Sequence, residues 1–417
     1  MSLTDAGPAL QEIGRSMYLT GVSIRPEQEV EVLDFDTAIS MIADVSDRFT
    51  DELEAIPFAS DVVSQDNGRF DTAKSFRRYA KVWLPEIEQA PNGAEFAQCG
   101  EPTWPSAIAY PYSFGGGSHR ALLSRTRSVF DLTQAWGLVD EEGVPFRVIG
   151  IPTPALGLTQ GAHIGMSIKD QWQIVKASRD PDAVDTHQPL TQHILDGLEQ
   201  LAVRRLFLPG YSDGGLMAIL LGDNAVTSQH TNIDVLGVSS GNPPGSGRSH
   251  PWLPVAIKQS LDRLRHQPGD TRTKVQESGS LVLQYLDTRD ARVGPRLNAV
   301  RLVLRSLTPD NLTKGAIVSG DSARRPMRRL LDRNVKVNYV MTDQDPVCYP
   351  ERLATWLPEY RRSYDNLRVF MGQGHHDKCS GLGYLMTLLT LTVVPAVEEG
   401  RVYSDVEDWG AFASPSQ

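Results

Sequence analysis

The stretch Gly210-Tyr211-Ser212-Asp213-Gly214 limits what this chain can fold into more than any other. It has the form G-x-S-x-G, and its flanks give it weight. Leu206-Phe207-Leu208 before it reads as a short buried strand. Gly214-Gly215-Leu216-Met217-Ala218-Ile219-Leu220-Leu221 reads as an apolar helix opened by two glycines. A strand that turns sharply into a helix leaves little room between the two. Small residues are needed where they approach, and the apex residue must accept strained backbone angles. That apex is Ser212. The N–H groups opening the helix would face any negative charge growing beside the serine oxygen.

At 417 residues the chain exceeds one small core. It fits one large α/β domain with an insertion, or two domains. A net charge of -10 argues against a nucleic-acid partner, because phosphate binding needs clustered positive charge. Met1 to Gly7 has neither a basic start nor an apolar core, so no secretory signal is read and a cytoplasmic location is expected. A mature form after signal removal would read the same, so export is compatible with the sequence. The longest apolar run, Tyr384 to Val397, spans about 14 residues, short of the roughly 20 that cross a bilayer. It reads as a buried helix, and no transmembrane segment is expected. Cys99, Cys348 and Cys379 are too few for a disulfide scaffold and fit a reducing compartment. No C-x-x-C or H-E-x-x-H spacing occurs, so no zinc site is expected.

Residues 1–75 are polar and acidic with helical patches such as Phe35 to Ile56, and read as an N-terminal helical arm. The core is expected over 76–250 and 334–400. Its expected strands are Tyr79 to Pro85, Ala107 to Tyr110, Phe146 to Ile151, Leu206 to Leu208, Ile233 to Val238, Val335 to Met341 and Leu367 to Met371. Helices are expected at His119 to Trp136, Ile168 to Ala177, Leu190 to Leu201 and after Ser212. The strand from Ile233 is expected to break at Ser239-Ser240-Gly241. Residues 251–333 look almost wholly helical, and 401–417 form an acidic tail. Strands alternating with helices imply a mostly parallel sheet covered on both faces.

A serine hydroxyl is a weak nucleophile without a base to take its proton and an acid to orient that base. Two strand ends supply both: Thr342-Asp343-Gln344-Asp345-Pro346-Val347 after one, Gly372-Gln373-Gly374-His375-His376-Asp377 after the other. The order serine, acid, histidine resembles the α/β-hydrolase superfamily over about Tyr79 to Val397. Gly-Tyr-Ser-x-Gly-Gly followed by Gly-Val-Ser-Ser-Gly-Asn-Pro-Pro is similar, more narrowly, to the secretory-lipase and esterase branch. That resemblance implies an α/β-hydrolase fold with a helical lid at 251–333. It implies a triad of Ser212, Asp345 and His375. The acid precedes a Pro-Val pair, which selects Asp345 with Asp343 as runner-up, and the histidine follows a glycine, which selects His375 over His376. It further implies an oxyanion hole from the backbone N–H of Phe114 and Asp213, although Tyr112-Ser113-Phe114-Gly115 stands where many members carry His-Gly.

The expected activity is carboxylic ester hydrolysis through an acyl-enzyme, without a cofactor or metal, on a small-molecule or lipid-like acyl ester. A peptidase, thioesterase or acyltransferase on the same triad, or a non-catalytic binding protein, would carry the same residues. His376-Asp377 as a metal pair and Gly115–Gly117 as a phosphate cradle are weaker than a solvated pair and a tight loop. Cys348 and Cys379 lie on the acid and histidine loops, with reduced thiols the expected state. Residues 251–332 hold about twice as many Lys and Arg as Asp and Glu, including Arg324-Arg325 and Arg328-Arg329. A solvated helical face is favoured over a substrate-attracting lid.

Overall fold

The computed structural model describes residues 85–111, 122–123, 126–127, 129–130, 140, 142–152, 167–177, 185, 187–228, 231–245, 322–342, 345, 353 and 356–372. The expected strand over 79–85 and the arm at 1–75 lie outside these residues, apart from Pro85. So do the glycine-rich loop from 112 and most of the segment 251–333.

Eight strands form one sheet: β1 (Glu86–Gln89), β2 (Glu95–Cys99), β3 (Ser106–Pro111), β4 (Arg147–Ile151), β5 (Arg205–Tyr211), β6 (Asp234–Gly241), β7 (Val337–Thr342) and β8 (Leu367–Gly372). Their spatial order is β1-β2-β4-β3-β5-β6-β7-β8. β1 pairs antiparallel with β2, and β2 with β4; every other pair is parallel. Helices α1 (Ile168–Ala177), α2 (Gln188–Gln200), α3 (Asp213–Thr227), α4 (Arg324–Asp332) and α5 (Leu357–Ser363) intervene. β3 and β4 are buried along their whole length, the pattern of parallel strands covered on both faces.

α3 lies at the centre. Every residue from Asp213 to Ala225 is buried, and a helix apolar all round belongs inside a core. It packs on β5 and β6 below and between α2 and α4 at its sides. Gly222 permits the close approach: a Cβ there would sit 3.0 Å from Val238 and 3.3 Å from Leu330. α2 settles on β2 in the same way, with Gly197 against the ring of Phe96. At the other edge Trp356, fully buried, meets Tyr339 of β7 and Tyr360 of α5 edge-on, at ring centroids of 6.5 Å and 5.0 Å.

Two strands escaped the sequence reading. β1 (Glu-Ile-Glu-Gln) is polar as the sheet edge allows, and β2 (Glu-Phe-Ala-Gln-Cys) beside it is short and interrupts its apolar residues with Gln98, so neither shows a strand pattern. Their hairpin turns at Gly93, φ +90°, with Ala90 N–H donating to Ala94 O at 2.7 Å. The side chain of Asn92 donates to His193 O at 2.8 Å and so ties the turn to α2. α5 was also missed; its opening Leu357-Pro358 places proline in the first turn, where no N–H is needed. β6 is longer than expected. It runs through Ser239, Ser240 and Gly241 because β5 and β7 both pair with it there.

Candidate active site

The elbow follows from the packing just described. Gly210 ends β5 against the first turn of α3. A Cβ at Gly210 would overlap the Gly214 carbonyl and sit 2.9 Å from Gly215 N. Gly215, one residue beyond the pentapeptide, is equally confined: its Cβ would lie 2.9 Å from Ser240 Oγ and 3.0 Å from the Gly210 and Gly241 carbonyl oxygens. Between these glycines Ser212 adopts φ +55°, ψ −131°. Such angles cost a residue with a Cβ roughly 1–3 kcal/mol. The surrounding bonds hold the conformation. Ser212 N–H donates to Gly241 O at 2.7 Å, and Ser212 C=O accepts from Leu216 N–H at 3.0 Å, closing the first turn.

Ser212 is the N-cap residue of α3, yet its hydroxyl does not cap its own helix. The serine is instead oriented by its backbone. The first N–H groups of a helix lack partners within it, and in α3 these belong to the residues that directly follow Ser212. Asp213 is buried and carries a carboxylate in the first turn, where the helix dipole favours it. Asn242, fully buried at φ +42°, continues the chain from the Gly241 carbonyl that anchors Ser212.

The position within the sheet matters as much as the turn. From β3 the chain next adds β4 on one side, and from β5 it next adds β6 on the other. Between β3 and β5 the connections diverge, and crevices in open α/β sheets form at the carboxyl ends of such strands. Pro209 lies on β5 at this junction. Arg205 N–H donates toward β3, to Pro105 O at 3.1 Å. With a period of two, residues 207 and 209 face the same neighbour, and proline has no N–H to give. The pairing of β3 with β5 ends at Ile108 and Phe207.

One row of the register runs across four strands: Tyr211 pairs with Gly241, Gly241 with Val340, and Val340 with Phe370. Ser212 follows the first of these by one residue. Asp345 follows Val340 by five (345 − 340), and His375 follows Phe370 by five (375 − 370). The loops bearing the expected acid and histidine therefore start at the same end of the sheet as the serine. Asp345 is 3% exposed. His375, Asp343, His376 and Phe114 lie outside the described residues, as do Cys348 and Cys379.

The sequence reading missed the anchoring role of Gly241 because it broke β6 at Ser239. The arginine-rich face was right in part: Arg325 and Arg328 are exposed, but Arg329 turns inward onto Asp223 and Asp185.

No family model and no curated protein matches this sequence. Among solved structures, the chain is similar to a carboxylesterase from Nitrososphaera gargenis at 13% identity, over 70% of this chain and 91% of that one, with a TM-score of 0.40. It is similar to an enol-lactonase from Burkholderia xenovorans LB400 at 14% identity, over 74% and 99%, with a TM-score of 0.42. A bromoperoxidase from Bacillus anthracis matches at 12% identity, over 74% and 99%, with a TM-score of 0.44. Among the described residues no helix is long and apolar enough to cross a membrane. A mostly parallel sheet led by an antiparallel hairpin, with a glycine-framed serine at the turn where β5 passes into a buried helix, is the architecture of the α/β-hydrolase fold.

Proposed function

We propose that the chain is a serine hydrolase that cleaves carboxylic esters through an acyl-enzyme. One observation carries this reading: Ser212 is held at φ +55° between β5 and α3, at the carboxyl end of the central strands. A strained serine that does not cap its own helix is poorly explained by stability and well explained by chemistry.

In this reading Ser212 Oγ attacks the ester carbonyl carbon while His375 accepts its proton. Asp345 orients the imidazole and balances its charge. The carbonyl oxygen takes up negative charge, met by the backbone N–H of Asp213 and of Phe114, each worth roughly 3 kcal/mol in the transition state. The bond to the alcohol oxygen breaks, His375 protonates that oxygen, and the alcohol leaves. A water, deprotonated by His375, attacks the acyl carbon. The acid is released and Ser212 recovers its proton.

A panel of short- and long-chain chromogenic esters, thioesters and peptide amides tests the proposal. Ester turnover at least tenfold faster in kcat/KM than amide turnover, lost by at least 10³-fold in Ser212→Ala, is the expected outcome. Preferential turnover of thioesters or amides would reassign the substrate class. Ester turnover that survives Ser212→Ala would remove Ser212 from the mechanism.

A further inference from the structure

Three helices meet at a half-buried charged cluster well away from Ser212. Asp185 and His187 lie just before α2, with His187 at its N-cap position; Asp223 is on α3 and Arg329 on α4. Arg329 Nε donates to Asp223 Oδ1 at 2.7 Å. One terminal nitrogen, Nη2, donates to Asp223 Oδ2 at 2.5 Å and to Asp185 Oδ1 at 2.7 Å, and Nη1 to Asp185 Oδ2 at 3.3 Å. His187 is 4% exposed, and its Nε2 has no hydrogen-bond partner. One ligating atom from each of Asp185, His187 and Asp223 lies within 4.8 Å of the others.

We propose that Asp185, His187 and Asp223 form a structural binding site for one divalent transition cation of the zinc type. The charges favour it. Asp185 and Asp223 share the one Arg329 guanidinium in hydrogen bonds, with Arg333 acting on Asp223 only through space, and Asp223 itself is buried. A cation is the partner that such a site lacks. The imidazole favours it too. A buried ring nitrogen without a partner is costly, and a neutral imidazole has a lone pair to give there. One imidazole nitrogen with carboxylate oxygens suits zinc-type ions better than magnesium or calcium, which take oxygen alone.

Arg329 does not have to leave. Each carboxylate oxygen has two lone pairs, and the guanidinium engages one of them. It then serves as the outer partner that orients ligating carboxylates. Donor atoms around a tetrahedral zinc lie roughly 3.3–3.5 Å apart, given bond lengths of about 2.0–2.2 Å. The ligands therefore close inward by about 1.5 Å at most. Asp185 has the freedom for this: it is part-exposed and sits at φ +57° ahead of the helix. Asp223 follows Ser212 by eleven residues (223 − 212), about 16 Å along the helix. The ion would tie α2, α3 and α4 together, and it is independent of the hydrolase reading. The sequence hid it because the ligands come from separate elements with no motif spacing.

The test uses the full chain, stripped with chelator and titrated with Co²⁺, whose visible absorption reports coordination geometry. The expected result is one Co²⁺ per chain in a four-coordinate spectrum, with a water as the fourth ligand, displaced by Zn²⁺. His187→Gln and Asp223→Asn should each weaken binding at least tenfold, while Ser212→Ala leaves it unchanged. No uptake by the folded wild type, or uptake of equal affinity in His187→Gln, would mean an ion-pair clamp only and overturn the proposal. If the variants do not fold, zinc X-ray absorption on the wild type decides. A first shell with one imidazole among oxygens supports the site, and a shell without imidazole overturns it.

Discussion

Replacing Gly210 by alanine tests the elbow without touching any reacting group. The added Cβ would overlap the Gly214 carbonyl oxygen and lie 2.6 Å from its carbon, whereas ordinary contact begins at 3.4 Å. The obstacle is backbone, so no side chain can swing aside. The first turn of α3 must retreat from β5 by about 1 Å, and Ser212 with its neighbouring N–H groups moves with it. A displacement near 1 Å can cost about 10²-fold in rate, and overpacking of this kind costs about 1–3 kcal/mol of stability. The control is Gly93→Ala, at φ +90° in the β1–β2 turn with nothing within 4 Å of the new Cβ. Its cost is backbone strain of about 1–2 kcal/mol with no consequence for the site. Chromogenic-ester kinetics and urea unfolding on both variants separate the effects. We expect kcat/KM to fall about 100-fold in Gly210→Ala and to stay within about twofold in Gly93→Ala, although both are destabilised. Equal activity in Gly210→Ala and wild type would refute the tight strand–helix contact and, with it, the account of why Ser212 is strained.

The strain itself is measurable: Ser212→Gly should be about 1 kcal/mol more stable to urea than Ser212→Ala, since glycine accepts φ +55° freely. Arg329→Met leaves the Asp223 carboxylate, 2% exposed, without its main partner and should cost about 3 kcal/mol. The double variant with Asp223→Leu should recover most of that in a double-mutant cycle. With chelator present, His187 makes stability pH-dependent. Its folded pKa of about 4 lies below the unfolded value of 6.5, so the unfolded chain binds the extra proton between them and stability falls as pH drops through that window. The loss attributable to His187 is about 3 kcal/mol by pH 4. A His187→Gln variant should lack it, as read by urea titrations at pH 7 and pH 4.5.

The serine elbow was legible because everything it needs is local. Apolar residues, a glycine, the serine and two more glycines follow one another, and the physical reason for each is a contact only a few residues away. The central strands were legible for a related reason: Ala107 to Tyr110 and Leu206 to Leu208 are buried on both faces, and so they read as apolar runs. The hairpin of β1 and β2 was not legible, since strands at and beside the edge tolerate Glu and Gln and lose their alternation. The far end of β6 was misread as a break. Ser239-Ser240-Gly241 looks like loop chemistry, and the two parallel neighbours that make it a strand come from distant sequence. The inward turn of Arg329 was invisible for the same reason, because its partners lie 106 and 144 residues away. The shared register of Tyr211, Gly241, Val340 and Phe370 likewise emerges only once β5, β6, β7 and β8 are laid side by side.

Reaction of the purified chain with a fluorophosphonate, followed by peptide mapping, measures directly whether Ser212 is an activated nucleophile. The account predicts one phosphonyl adduct per chain, on the peptide containing Ser212, with none formed by Ser212→Ala or His375→Ala. A folded wild-type chain that stays unlabelled, or an adduct on a different serine, would contradict it.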